Sequence, residues 1–150
     1  MGRLIVLDSG PLGLATNRPG KAGVDRCLDW IAALEATGAK IVVPEIADYE
    51  VRRELLRAGA TDGIARLDDF VLSRAYLPIT TAAMHLAADF WADARKRGRP
   101  TADPKALDAD CILAAQAKLA AGAGDDVIVA TTNVGHLGRF VDAQEWTTIA

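Results

Sequence analysis

The strongest constraint on the fold is an alternation of two hydrophobic periodicities along the chain. Short, continuous apolar runs that are β-branched in the middle occur at 4–7 and 41–43, and a third follows Asp126 over 127–130. Runs of this kind are typical of strands that are buried on both faces of a sheet. The segments between them carry apolar residues at helical spacing, most clearly over 21–37. Strands that alternate with helices predict a parallel sheet covered by helices on both sides.

Local signals predict the remaining elements. A weaker strand is expected over 76–79, at a sheet edge because Pro78 cannot donate a ladder hydrogen bond, and a short edge strand over 145–149. Further helices are predicted to begin at Pro44, Thr61, Thr80 and Asp103–Pro104. The 150 residues suffice for one domain. We therefore predict a single domain, 1–150, with a three-layer α/β/α sandwich around a mainly parallel central sheet.

Composition excludes several classes of protein. Hydrophobic residues make up 51% and charged residues 25% of the chain, as in soluble globular domains. Apolar runs stay well short of the roughly 18 residues that cross a bilayer, and the first run is too short for a signal peptide. We expect a cytoplasmic protein without a membrane segment. Cys27 and Cys111, which are far apart in the sequence, are expected to be buried thiols.

Polar residues follow the predicted central strands. Asp8 ends the first strand, Glu50 lies in the helix after the second, and Thr131 to Asn133 follow the late strand. Asp108 and Asp110 approach the same region from a helix. Ligands bind beyond the carboxyl ends of parallel strands, and crowded carboxylates either take up protons or bind a cation. Oxygen ligands without His or Cys select Mg²⁺ or Mn²⁺.

Two acids in the later helix compete for a place in this site. Asp108 and Asp110 are two residues apart, so in a helix they point about 200° away from each other. Both faces of that helix are apolar, and periodicity does not choose between the two acids. Glu45, a rival of Glu50, lies in the first turn of its helix, where an acid complements the helix dipole. Asp8 could also serve only as a helix cap.

Four motifs in order resemble the PIN domain family, which includes the VapC-type toxin nucleases. These motifs are LIVLDSGPLG, VPEIADYEVRREL, LDADCILAAQA and VIVATTNVGHLGRF, and together they span most of the chain. The resemblance implies a metal-dependent ribonuclease in which Asp8, Glu50 and Asp110 hold Mg²⁺ or Mn²⁺. It matches Asn133 to the fourth site position, with Thr131 beside it in a supporting role. Asp108 stays an alternative ligand.

The resemblance also implies partners. An RNA substrate, a small antitoxin protein and a homodimer are expected, with the helix over 61–75 contributing apolar surface to the dimer. Arg52, Arg53, Arg57 and the run 95–99 could guide an RNA backbone. They could equally keep the surface solvated or, in the run 95–99, complement a helix dipole. The net charge of −3 argues only against a protein that coats nucleic acid by bulk attraction.

Other functions fit the sequence less well. A phosphoaspartyl phosphatase needs a second acid two residues after the first, and Gly10 occupies that position. A receiver domain needs adjacent acids before its first strand and a lysine after its last, and neither is found. The rival that the sequence keeps is a degraded PIN-like module that acts as an RNA or protein adaptor. Asn133 favours this adaptor, because it stands at a motif position where the family also has an aspartate. His136 is interpreted as an ordinary polar residue and is not assigned to the site.

Overall fold

The computed structural model describes residues 2–97, 104–122 and 124–150. The strands are β1 (Arg3–Leu7), β2 (Lys40–Pro44), β3 (Ala75–Leu77), β4 (Asp126–Thr131) and β5 (Ala143–Glu145). The helices are α1 (Ser9–Ala15), α2 (Ala22–Ala36), α3 (Glu45–Arg57), α4 (Thr61–Leu72), α5 (Thr81–Lys96) and α6 (Pro104–Ala120). Short 3₁₀ turns follow at Leu137–Arg139 and Trp146–Thr148. The predicted alternation of strands and helices is confirmed.

Most predicted helix boundaries match the structure. The Thr80 hydroxyl accepts a hydrogen bond from the Ala83 N–H at 3.1 Å and so caps α5. Gly38, with a φ of +91°, follows α2 in the left-handed conformation that ends many helices. Helix α6 begins at Pro104, whereas its predicted cap, Asp103, lies outside the described residues.

The last edge strand lies earlier than predicted. The prediction was a strand over 145–149, but the strand is Ala143–Glu145 and the chain then makes a 3₁₀ turn. The turn buries the Trp146 ring 5.2 Å from the Trp30 ring, centroid to centroid, and Trp30 Nε1 donates to the Ile149 carbonyl at 2.9 Å. Burial of the Trp146 ring and the hydrogen bond from the Trp30 N–H stabilise the turn over a longer strand.

The two faces of the sheet bury two separate apolar clusters. In β1, Ile5 and Leu7 pack with residues of α1, α2 and α4, whereas Val6 packs with Leu113 and Ala114 of α6. Alternate strand side chains point to opposite faces, which explains this division. Helix α5 packs against α6 through a third cluster, made mainly of alanines. The three-layer α/β/α arrangement is thus the one predicted.

The strand order creates a switch point in the sheet, where the direction in which strands are added reverses. All strand pairs are parallel, and the order is β3-β2-β1-β4-β5. The chain runs outward from β1 to β3, then crosses back to add β4 on the other side of β1. Crevices at such switch points, beyond the carboxyl ends of the strands, are where open parallel sheets bind ligands. The switch point of this sheet lies between β1 and β4, and Asp8 and Thr131 stand at the carboxyl ends of these two strands.

The apolar face of α4, which was expected to contribute to a dimer, is used inside the domain. Leu67 and Phe70 are buried in the core, and Val71 packs against it. The prediction treated this face as spare surface, and that assignment was wrong because the α4 stripe covers the edge of the sheet. In α4, the large apolar residue that remains exposed is Leu72, the last residue of the helix.

Within the described part of the chain, no helix combines the length and the apolar character needed to cross a membrane.

Candidate active site

Asp8 is held in place by two hydrogen bonds. It precedes α1, and its Oδ1 accepts from the Ser9 N–H at 2.7 Å. Its Oδ2 accepts from the Thr131 hydroxyl, also at 2.7 Å, and its own N–H donates to the Ala130 carbonyl at 2.9 Å. The capping role and a role in a site are therefore compatible. The carboxylate is fixed at the carboxyl end of β1, next to the end of β4.

Thr131 is fully buried and links Asp8 to the segment that follows β4. While its hydroxyl donates to Asp8, the same oxygen accepts from the Asn133 N–H at 3.0 Å. This bond draws the segment back over the strand end and leaves Asn133 exposed beside it. Thr131 thus contacts Asp8 directly, whereas Asn133 is linked to Asp8 only through its backbone bond to Thr131. Sequence reasoning did not predict that Asn133 would be held through its backbone.

Glu50 lies half-buried on α3 and carries a strongly perturbed carboxyl group. Burial, with smaller contributions from the carboxylates of Asp8 and Asp110, raises the pKa of Glu50 to about 7. Arg53 opposes this shift, because its guanidinium lies 3.9 Å from the Glu50 carboxylate. Such a shift in an acid near a strand end is a mark of functional sites.

The two competing acids of α6 lie in different surroundings. Asp110 is half-buried, and burial together with the Asp8 carboxylate raises its pKa to about 6. Asp108 is exposed and lines a groove between α5 and α6 that also contains Met84 and Trp91. The described structure thus brings Asp110 into electrostatic contact with Asp8 and Glu50, and it places Asp108 on another face of the helix.

Three acids from three elements therefore converge on the switch point of the sheet. An all-oxygen donor set in which the Asp8 carboxylate raises the pKa of both Glu50 and Asp110 fits a hard divalent cation such as Mg²⁺ or Mn²⁺. Within the described ranges, however, no three His, Cys, Asp or Glu side chains are grouped closely enough to hold one ion as they stand. The chemistry of these residues fits a divalent metal ion, although their present spacing does not form a closed binding site.

Two further acids of α3 have structural partners. Glu45 lies in the first turn of α3, as predicted, and it also accepts from the Ile79 N–H at 2.7 Å, a contact that the sequence did not predict. Asp48, which the sequence analysis did not single out, is buried and accepts from Arg52 Nε at 3.1 Å and from the Tyr76 hydroxyl at 2.9 Å. Because Arg52 also contacts Asp68 at 2.8 Å, it is committed to this network. The i, i+4 spacing of Asp48 and Arg52 was the available signal.

Gln116 connects the two helices that carry Glu50 and Asp110. It is buried on α6, where its Oε1 accepts from the Ile46 N–H of α3 at 3.2 Å. Its Nε2 donates to the Leu77 carbonyl at the end of β3, at 2.8 Å. Sequence reasoning missed this residue, although a lone amide within the apolar stretch Ala114 to Ala117 was a signal that it needs buried partners.

A cleft of about 510 Å³ runs between α1 and α3, and Glu50 lies on its wall. Three arginines line it: Arg53 and Arg57, one turn apart on α3, and Arg66 on α4. Arg66 is anchored because its Nε donates to the Thr16 carbonyl at 2.9 Å. In the other basic run, 95–99, residues 98–99 lie outside the described residues. Arg97 of that run is paired with Asp93 at 3.3 Å. The cleft is thus the basic surface that adjoins the acids.

The raised pKa values predict a pH dependence of stability in metal-free protein. A carboxyl with a raised folded-state pKa binds more protons in the folded state, so its contribution to stability falls as pH rises. For Glu50 the fall spans roughly pH 4.5 to 7, from the ordinary pKa of a glutamate to its folded-state pKa of about 7. Glu50→Gln should therefore flatten the loss of melting temperature between pH 5 and 8 in EDTA. Glu54→Gln, exposed on the same helix, should keep the wild-type slope, and equal slopes in all three proteins would contradict the assignment.

Comparisons with known proteins support the fold. No family model and no curated protein matches the sequence. Solved structures do match. A chain in the crystal structure of VapBC2 from Rickettsia felis, bound to a DNA fragment from their promoter, has a TM-score of 0.69 and 15% identity, over 95% of this chain and 98% of that one.

Two further matches have the same extent. A chain in FitAcB from Neisseria gonorrhoeae has a TM-score of 0.68 and 21% identity, over 97% of this chain and 99% of that one. A chain in DNA-bound VapBC from Salmonella typhimurium has a TM-score of 0.64 and 16% identity, over 97% and 99%. At such identities the likeness concerns the fold. The chain has the PIN-like fold of the VapBC and FitAB structures, as its four motifs predicted.

Proposed function

We propose that this protein is a metal-dependent ribonuclease that hydrolyses RNA phosphodiester bonds. The observation that carries the proposal is the convergence of Asp8, Glu50 and Asp110, in which Asp8 raises the pKa of both other acids. Three carboxylates in one crevice are costly without a neutralising cation. The cost is understandable if the crevice exists to bind one.

Each residue has a distinct role in this proposal. Asp8, Glu50 and Asp110 would hold Mg²⁺ or Mn²⁺, and the bound ion would polarise the phosphate and lower the pKa of an attacking water. Thr131 keeps the Asp8 carboxylate oriented through its 2.7 Å hydrogen bond. Asn133, exposed at the same strand end, would hydrogen-bond water or a phosphate oxygen. Supporting residues of this kind fix the geometry of the ligands.

The arginine-lined cleft supports RNA as the substrate. Arg53 and Arg57 are exposed on α3 and line the same cleft as Glu50. A strand whose scissile phosphate lies at the acids would pass these guanidinium groups with its neighbouring phosphates. Arginine pairs well with phosphate oxygens because its donors are arranged in a planar fork. Arg57 also pairs with Glu54 at 2.8 Å, but that pair is exposed and therefore weak. Arg52 is not included, since it is half-buried and is held by two acids, Asp48 and Asp68.

The partners and biological role are part of the same proposal. Four similar solved structures are of VapBC and FitAB complexes, and three of these are bound to DNA fragments or to DNA. This supports a role as the toxin of a toxin–antitoxin pair, with a small antitoxin protein as partner. We also propose a homodimer that works in the cytoplasm, and a surface other than the buried face of α4 would form it.

The alternative is a degraded module that acts as an RNA or protein adaptor. The observation in its favour is Asn133, which offers no charge where an acid would strengthen a metal site. An adaptor needs no cation, so it should show no specific affinity for Mn²⁺. Metal binding therefore separates the two functions before any RNA is tested.

The test combines Mn²⁺ binding with cleavage. Mn²⁺ at about 100 times its Kd should stabilise the protein by about 2.7 kcal/mol, roughly 5–10 °C in melting temperature, and should support cleavage of single-stranded RNA. Asp8→Asn should abolish both effects, because it removes a ligand charge and keeps the shape. Asp126→Asn, an exposed acid at the opposite end of β4, should abolish neither. A wild-type protein without a Mn²⁺ response or cleavage would favour the adaptor.

A further inference from the structure

Gly10 and Thr132 approach each other more closely than any other residue type at position 10 would allow. Gly10 lies in the first turn of α1, two residues after Asp8, and Thr132 directly follows β4. A Cβ atom on Gly10 would lie 2.7 Å from both Cγ2 and Oγ1 of Thr132, and 3.3 Å from its Cβ. Non-bonded carbon atoms pack at about 3.5–4.0 Å. A methyl group at position 10 would therefore overlap with Thr132.

Rotation of the Thr132 side chain does not remove this overlap. Both γ atoms face Gly10 at the same distance, so the hydrogen on the Thr132 Cβ points away. A threonine side chain has one hydrogen and two heavy atoms at its three staggered positions. Every staggered rotamer thus leaves at least one γ atom toward Gly10. A side chain at position 10 would have to change the distance between the backbones of α1 and Thr132.

The neighbours of Thr132 transmit a displacement of its backbone to the proposed site. Thr131 holds Asp8 Oδ2 at 2.7 Å and accepts from the Asn133 N–H at 3.0 Å. Thr132 lies between these two residues. A shift of its backbone would lengthen one or both hydrogen bonds, and the Asp8 carboxylate would lose its orienting partner.

Backbone conformation does not explain a glycine at this position. The described glycines with positive φ are Gly20, Gly38, Gly59, Gly124 and Gly135, and Gly10 is not among them. Within a helix, alanine is normally more stabilising than glycine. Glycine at position 10 thus sacrifices helix stability, and the space that it leaves is filled by Thr132.

We propose that Gly10 is a positioning residue for the active site. By having no side chain, it lets the segment after β4 close onto α1, so that Thr131 reaches Asp8. This inference rests on the proposed ribonuclease function for its catalytic readout. Its structural part stands on the Gly10–Thr132 contact alone.

A double-mutant series tests the contact directly. Gly10→Ala should lower kcat for RNA cleavage by on the order of 10- to 100-fold with little change in KM, because a small misplacement of catalytic groups has effects of that size. Adding Thr132→Ala removes both γ atoms and should restore kcat to within about threefold of Thr132→Ala alone. Adding Thr132→Val keeps both γ atoms and should restore nothing. Gly23→Ala, on α2 with open space around it, is the matched control and should behave as wild type.

The second readout is the Mn²⁺-induced rise in melting temperature, which does not require cleavage. It should shrink in Gly10→Ala and in Gly10→Ala/Thr132→Val, and it should return in Gly10→Ala/Thr132→Ala. If Gly10→Ala alone does not fold, Gly10→Ala/Thr132→Ala is compared with Thr132→Ala, and equal kcat and Mn²⁺ response are expected. A wild-type response in Gly10→Ala, or rescue by valine as good as by alanine, would overturn the inference. If wild type does not cleave RNA but the variants show the expected Mn²⁺ responses, the result counts against the ribonuclease function alone.

Discussion

Asp110→Asn is expected to abolish most of the ribonuclease activity while the domain stays folded. The substitution keeps the shape of the side chain and removes the charge that the Asp8 carboxylate and burial already disfavour. With one charge fewer, the apo crevice should become more stable, and its affinity for Mn²⁺ should fall. We expect a loss of kcat of at least about 100-fold, beyond the 10- to 100-fold typical of residues that only support metal ligands.

Asp108→Asn is the matched comparison for this prediction. Asp108 is exposed on the groove between α5 and α6, two residues away on the same helix. Its replacement should change kcat by less than about tenfold, the lower limit for supporting residues. Both variants should be measured on one RNA substrate with fixed Mn²⁺ and low salt, since RNA binding depends on salt, and circular dichroism should show both folded. If Asp108→Asn were the inactive variant, the assignment of Asp110 would be wrong.

Asp48→Ala is expected to cause a large loss of stability. The substitution leaves Arg52 and the Tyr76 hydroxyl without the acceptor that both use at about 3 Å, and the site is buried. Loss of one member of a buried charged hydrogen-bond network costs about 2–4 kcal/mol. This lowers the melting temperature by roughly 4–16 °C in a domain of this size. Thermal unfolding in EDTA measures the effect without a contribution from metal.

The control for Asp48 is another acid that lacks this burial. Asp29 is exposed on α2, and Asp29→Ala should stay within about 0.5 kcal/mol of wild type. At a temperature where Asp48→Ala is folded, its Mn²⁺ response should match that of wild type, because Asp48 belongs to the network with Arg52. A folded Asp48→Ala protein that had lost its Mn²⁺ response would place Asp48 in the metal site.

The sequence predicted the central strands, the helices and Asp8, because these depend on local patterns. A buried parallel strand must be apolar throughout, and a polar residue directly after it must lie where the carboxyl ends of the strands meet. The edge element at the end of the chain was less predictable. There, the burial of Trp146 against Trp30 outweighs the weak strand propensity of 145–149.

Asp110 could not be separated from Asp108 by periodicity, and the fold explains why. Helix α6 lies between the sheet and α5, so it buries Leu113 and Ala114 on one side and Cys111 and Ala115 on another. A helix with several buried faces has no clear polar stripe. Only the resemblance to a family favoured Asp110, and the structure places that residue with Asp8.

The contacts that the sequence could not predict are those between distant segments. Thr131 meets Asp8 across a separation of 123 residues, and Gln116 meets Ile46 across 70. Local propensity contains no information on such pairs. The same holds for the space between Gly10 and Thr132, since a glycine early in a helix gives no indication of which side chain will fill the gap.

The position of β1 in the middle of the sheet has a consequence for when the site can form. Its partners are β2, which comes soon after it in the chain, and β4, which begins at residue 126. During synthesis, the first 60 or so residues can pair β1 with β2 while the other edge of β1 waits for a segment made much later. The bond that orients Asp8 comes from that late segment. A growing chain therefore completes its proposed nuclease centre only after nearly all of the domain has been made.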